Sequence, residues 1–206
     1  MSVVQIYVKA GDQRLFRGNI NEALIRTHSK RVRDVLNTNQ LNALTKEVTL
    51  AGAAPAAFDF VIGKIKGVKP PQQLYIKVHD LPLVRAIAVY EATEAMIIEP
   101  VQSHIENHII GWVTHNIVSP DEMVALHKVF YGRRDSSKVW DRLVHHIAWN
   151  IVEGKIVNPL GAELEVAARP YPELFEAVNE QKSVLEERKA RQEELAARAR
   201  EDAMRA

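Results

Sequence analysis

The chain has 206 residues, with 27 Lys and Arg against 26 Asp and Glu and a formal net charge of +1. Apolar residues make up 47% of it, enough for a sizeable core, and the length suits one main domain plus a tail. The near-neutral balance argues against gripping nucleic acid through a basic surface, and the absence of cysteine excludes disulfides, thiolate zinc sites and cysteine nucleophiles. The opening Met1-Ser2-Val3-Val4-Gln5-Ile6 lacks the basic start and apolar core of a signal peptide. No uninterrupted apolar run approaches the length of about 18 residues that a membrane helix needs. A soluble intracellular protein of the cytoplasm or nucleus is the expectation.

Val4, Ile6 and Val8 alternate with Gln5, Tyr7 and Lys9, the period of a half-buried strand. Ala10-Gly11-Asp12-Gln13 is a turn, and Arg14 to Arg17 follows as a short second strand, so the start reads as a hairpin. Two short helices follow, one carrying Ile20, Ala23 and Leu24, the other Val32, Val35 and Leu36 with Ser29 as its cap. Asn37 to Gln40 is a loop, and Val48-Thr49-Leu50 is a third strand. Phe58, Val61, Ile62 and Ile65 then make one helical stripe, opened by Pro55 and closed near Gly67.

Leu74, Ile76 and Val78 alternate in the manner of an extra short strand. Asp80 is placed to cap a helix running from about Pro82 to Ile98, apolar almost all round through Leu83, Val84, Ile87, Val89, Tyr90, Met96 and Ile97. Pro100 opens the next helix, with Val101, Ile105, His108, Ile109 and Trp112 inward. Ser119-Pro120-Asp121-Glu122 carries a full helix-start signature, followed by the stripe Met123, Leu126, His127 and Phe130. Trp140, Leu143, Val144, Ile147 and Ile151 form another stripe that Gly154 and Pro159 end. From Pro170 the chain becomes a charged helix. A heptad reading puts Gln192 and Arg188 on its seam, so a solvated helix docked at its beginning is preferred to a coiled coil.

The order hairpin, helices, third strand and helical run resembles the BTB/POZ family. The resemblance rests on Ile6-Tyr7-Val8 with Leu15-Phe16, on Ser29 with Val32 and Leu36, and on Val48-Thr49-Leu50 before Pro55-Ala56-Ala57-Phe58-Asp59. It continues through Gly67 and the Val84 to Met96 segment with Tyr90, Glu91 and Ala92, covering roughly residues 3–111. The chain departs from the family pattern at Gly18-Asn19, Val32 and Ile65. The region after Trp112, with its late Pro172-Glu173-Leu174, resembles the helical extension of fungal BTB-like proteins. The resemblance implies an α+β, BTB/POZ-like fold, a small three-stranded sheet flanked by helices. It spans residues 3–112; an all-helical extension packed on it follows at 119–176, and a charged helical tail at 177–206.

Chemistry-bearing residues do not assemble into a motif. His104 and His108 share a helix face, but Ile105 stands where a zinc protease motif needs glutamate. His145 and His146 are adjacent and face different sides. Ser29 beside His28 has no glycine-flanked elbow, and Gly63, Gly67 and Gly111 are isolated, so no phosphate loop forms. Asp59, Glu91, Glu94 and Glu99 read as solvated charges. The clusters His28 to Arg33 and Gly132 to Asp135 read as ordinary surface, and Trp149, off the stripe, as an exposed or interface residue.

The expected function is therefore a non-enzymatic interaction module or scaffold with no catalytic, cofactor or metal site. The alternative implied by the family is a substrate adaptor of a cullin-type ubiquitin ligase. The family's hydrophobic-x-Glu motif before the third strand reads Leu41-Asn42-Ala43 here, keeping the apolar residue and losing the acid. A small hydrolase or metal protein is a third, weaker class. Partner contacts are assigned to Gln5, Tyr7, Ile20, Ala23, Leu24, Leu41, Leu44 and Trp149. The first strand's edge is expected to be open to strand addition by another protein. With no segment preceding the hairpin, no strand-exchanged homodimer is expected, although another self-contact could form.

Overall fold

The computed structural model describes residues 2–38, 46–69 and 72–205. It forms two compact units, Met1–Ile109 and Ile110–Ala206, and the class is α+β: a three-stranded mixed sheet with a majority of helix.

In the first unit β1 (Val3–Ala10) and β2 (Gln13–Asn21) form the hairpin. Helices α1 (Glu22–His28) and α2 (Lys30–Thr38) lead to β3 (Lys46–Leu50). β1 lies in the middle of the sheet, antiparallel to β2 and parallel to β3. Its edge is therefore not open, contrary to the strand-addition expectation, because β3, distant in sequence, already pairs with it from Val4↔Lys46 to Val8↔Leu50. β2 extends further than the short strand expected. It includes Ile20, which is buried in the sheet rather than carried by a helix, so it cannot meet a partner. A bulge places Arg17 as an extra residue in β2, and Gly18 accepts the resulting φ of 114°.

Val4, Ile6, Val8, Val48 and Leu50 alternate onto the buried face of the sheet. Helix α3 (Pro55–Gly67) contacts β1 and β2. Its stripe of Phe58, Val61, Ile62 and Ile65 is wholly buried. Helix α4 (Leu83–Met96) lies on α3. Its burial is less complete than its composition suggests: Val84 and Ile97 are exposed, and Ile97 ends the helix in a left-handed conformation with φ 50°. Asp80 does not cap α4; it pairs with Lys77 in the turn before Pro82.

Leu74, Ile76 and Val78 are buried and their neighbours exposed, yet among the described residues no strand pairs with them. The Gln102 side chain stands in for one. Its Oε1 accepts from Ile76 N at 3.1 Å, and its Nε2 donates to Leu74 O at 3.3 Å and to Pro100 O at 2.7 Å. Helix α5 begins at Ser103 rather than at Pro100 and runs to His115, so the expected domain limit at 112 falls inside a helix. Val101 is exposed, while Ile105 and Ile109 are buried.

In the second unit α6 (Pro120–Phe130) starts with the predicted capping box between Ser119 and Glu122, and its whole stripe is buried. A 3-10 turn (Tyr131–Arg133) leads to α7 (Val139–Val152), whose Trp140, Leu143, Val144 and Ile147 are buried and Ile151 exposed. Helix α8 (Leu160–Ala168) has no large apolar stripe in the sequence and was not anticipated. Helix α9 (Pro172–Arg205) is continuous and packs on α7 through Leu174, Val178 and Leu185. Beyond Leu185 its described side chains are exposed.

Candidate interaction surface and its alternatives

The outer face of the sheet gathers residues that the strand register places side by side. Tyr7 pairs with Phe16 on β2 and with Thr49 on β3, and Gln5 pairs with Glu47. Arg14 reaches across all three strands. Its guanidinium lies 3.7 Å above the Tyr7 ring, its Nε donates to Thr49 Oγ1 at 2.9 Å, and its Nη2 meets Glu47 Oε2 at 2.8 Å. The Tyr7 hydroxyl donates to Gln5 Oε1 at 3.2 Å. Phe16 stands beside Tyr7, ring centroids 5.4 Å apart, and is 53% exposed. The sequence pointed to Gln5 and Tyr7 on this face; Phe16 and Arg14 were not singled out as partner contacts. Their alternation with Leu15, opposite Tyr7 and Lys9, was the available signal.

Ala23 is exposed and Leu24 half-buried on α1. Leu41 and Leu44 lie outside the described residues, and with them the stretch on which the adaptor reading turns.

Ser29 is a structural residue. Its Oγ accepts from Val32 N at 3.2 Å, capping α2, and donates to Met96 O at 2.7 Å. Around it Lys30 N donates to Ile97 O, Glu99 N to His28 O, and Arg33 pairs with Glu99 at 3.0 Å. Such a buried, doubly bonded hydroxyl is unsuited to attack a substrate. Glu22 is a second structural knot. It meets Lys46 at 2.6 Å and Arg26 at 2.8 Å. The Lys46 hydrogen bond, with contributions from Ser2 and Arg26, holds its carboxyl down at about 2 against the opposing effect of burial.

The histidines are engaged separately. His104 bonds Ile76 O through Nε2 at 2.9 Å and stacks on Tyr75. His108 keeps a buried Nε2 without a hydrogen-bond partner among the described residues, and burial lowers its pKa, with His79 adding to the effect. His127 is enclosed by Tyr131, Trp140 and Tyr171, and its Nε2 lies 2.5 Å from Glu173 Oε1. Glu173 is held below the usual carboxylate range by its own backbone N–H at the start of α9, and further by His127. Among the described residues, no group of three or more His, Asp or Glu is placed to hold a metal ion.

His145 and His146 do share a site, contrary to expectation. Both line one cavity of about 160 Å³ with Thr114, Arg142 and Trp149. Arg142, His145, His146 and Trp149 follow the spacing i, i+3, i+4, i+7, one broad face of α7, and that spacing was the signal in the sequence. Trp149 is 36% exposed, as expected of it.

No helix among the described residues is long and apolar enough to cross a membrane. No family model matches the sequence, and neither a curated protein nor a solved structure shows significant similarity to it.

Proposed function

We propose that the chain is a non-enzymatic interaction module that holds a partner protein against the outer face of its sheet, in the manner the BTB/POZ resemblance implies. The observation that carries this is the half-exposed Phe16 beside Tyr7, on a face already ordered by the Arg14 strap. An exposed aromatic held by a rigid sheet loses little conformational entropy on binding, and aromatic and arginine side chains dominate the energetics of protein contacts. The order hairpin, two short helices, third strand, helix supports the family reading. The narrower role of cullin adaptor has no comparable support, since Leu41 and Leu44 are not described.

The test is a photo-cross-linking residue placed at Lys9, next to the face, in the full chain expressed in its native cells. A discrete adduct with another protein, lost in Phe16→Glu and kept in Arg188→Gln, is expected. No adduct, or one indifferent to Phe16→Glu, would refute this surface.

A further inference from the structure

The cations at the cavity on α7 contrast with the ion-paired ones of the first unit. There Arg14, Arg17, Arg26, Arg33 and Lys46 each find a carboxylate within 3.4 Å. Arg142 lines the cavity, and Lys155 sits at its edge with its ammonium 3.8 Å from the Trp149 ring centre. Neither has a carboxylate partner among the described residues. Nearby acids are turned elsewhere: Asp141 lines a different cavity with Trp140 and Gln181, and Glu153 pairs with Lys189 at 3.2 Å.

The two imidazoles are oriented by hydrogen bonds. His146 donates from Nε2 to Asn116 O at 2.8 Å, and His145 Nδ1 meets Gln181 Nε2 at 3.2 Å. With Nδ1 accepting from the amide, the neutral His145 ring carries its proton on Nε2, its remaining nitrogen. Burial lowers the pKa of His146; the hydrogen bond to Asn116 O opposes this, and His145, Lys155 and Arg142 add to the lowering.

We propose that this cleft binds the phosphate group of a small phosphomonoester, with Arg142 and Lys155 as anchoring cations and His145 as a hydrogen-bond donor. Two positive charges, on the exposed Arg142 and Lys155, match a phosphate dianion better than a carboxylate monoanion, and donors from separate side chains suit a tetrahedral group. A cationic ligand is disfavoured by the charges and by Lys155, which already occupies a face of Trp149. At about 160 Å³ the cleft covers little more than the phosphate and a few carbon atoms, since drug-sized pockets run to about 300–1,000 Å³.

Isothermal titration of the full chain with inorganic phosphate and with glycerol phosphate, at ionic strength held constant with chloride, tests this. Saturable binding of one equivalent of each is expected. Arg142→Gln and Lys155→Gln should each weaken it at least about tenfold, the effect of losing one charge-assisted hydrogen bond. Arg188→Gln, which removes the same charge from the exposed part of α9, should leave it unchanged. Absence of saturable binding would overturn the proposal, as would equal weakening by Arg188→Gln. Acetate binding as tightly as phosphate would overturn the phosphate assignment. Inorganic phosphate binding without glycerol phosphate would show an adventitious ion only.

Discussion

Glu22 and Arg142 show two ways of placing charge. In the first unit the Glu22 carboxylate is buried between Lys46 and Arg26, and each cation around it is neutralised. In the second, Arg142, His145 and His146 line one cleft with Lys155 near its edge, and no acid lines it among the described residues. In the first arrangement the charges depend on one another, because removing a partner leaves the buried Glu22 carboxylate uncompensated. The second adds little to the fold, because Arg142 and Lys155 are exposed and their charges are screened by solvent. Substitutions that respect this contrast should divide cleanly between those that weaken the fold and those that spare it.

The largest effect is expected from Gln102→Leu in the first unit. It strips three hydrogen bonds from Leu74, Ile76 and Pro100 and leaves buried backbone groups unsatisfied, a loss of about 2–4 kcal/mol in urea denaturation. A loss under about 1 kcal/mol would mean that water replaces the amide.

Glu22→Gln comes next, at about 1–3 kcal/mol, discounted because Lys46 is partly exposed and screened. Because the folded pKa is depressed to about 2 from 4.5, the Glu22 contribution is fully present above pH 4.5 and disappears as the pH falls toward 2. The stability difference between the two proteins should shrink over that window. A difference independent of pH would contradict the charge pairing.

Those two knots also show what the sequence conceals. The α3 stripe and the Ser119 capping box were legible because their partners lie within seven residues. The burial of Leu74, Ile76 and Val78 was legible too, but the Gln102 side chain that replaces a strand is 26 residues from Ile76 and carries no periodic signal. The parallel β1–β3 pairing closed an edge that looked open, for the same reason of distance along the chain. Helix α8 was missed because its small residues Gly161, Ala162, Ala167 and Ala168 dilute any stripe. The cleft on α7 was partly legible in the spacing of Arg142, His145, His146 and Trp149. What the sequence withheld was the direction of Asp141 and Glu153 away from it.

Arg14→Gln should cost less, under about 1 kcal/mol, because its contacts to Glu47 and Tyr7 are on an exposed face. It should nonetheless weaken the partner adduct at Lys9 by releasing the Tyr7 ring. An unchanged adduct would show that the strap does not order the binding face. The smallest effect is expected at the cleft itself. Arg142→Gln should melt within about 0.5 kcal/mol of the parent, or above it through relief of repulsion. A large loss would class Arg142 with Glu22 as a structural charge.

The contrast is tested most directly by following the three tryptophan indole N–H resonances while phosphate is added at constant ionic strength. The predicted result is a saturating shift of the Trp149 resonance alone, with Trp112 and Trp140 unmoved, and its abolition in Arg142→Gln. Three resonances moving together, or a Trp149 shift that survives Arg142→Gln, would contradict the claim that the cleft beside Arg142 and Lys155 is a binding site.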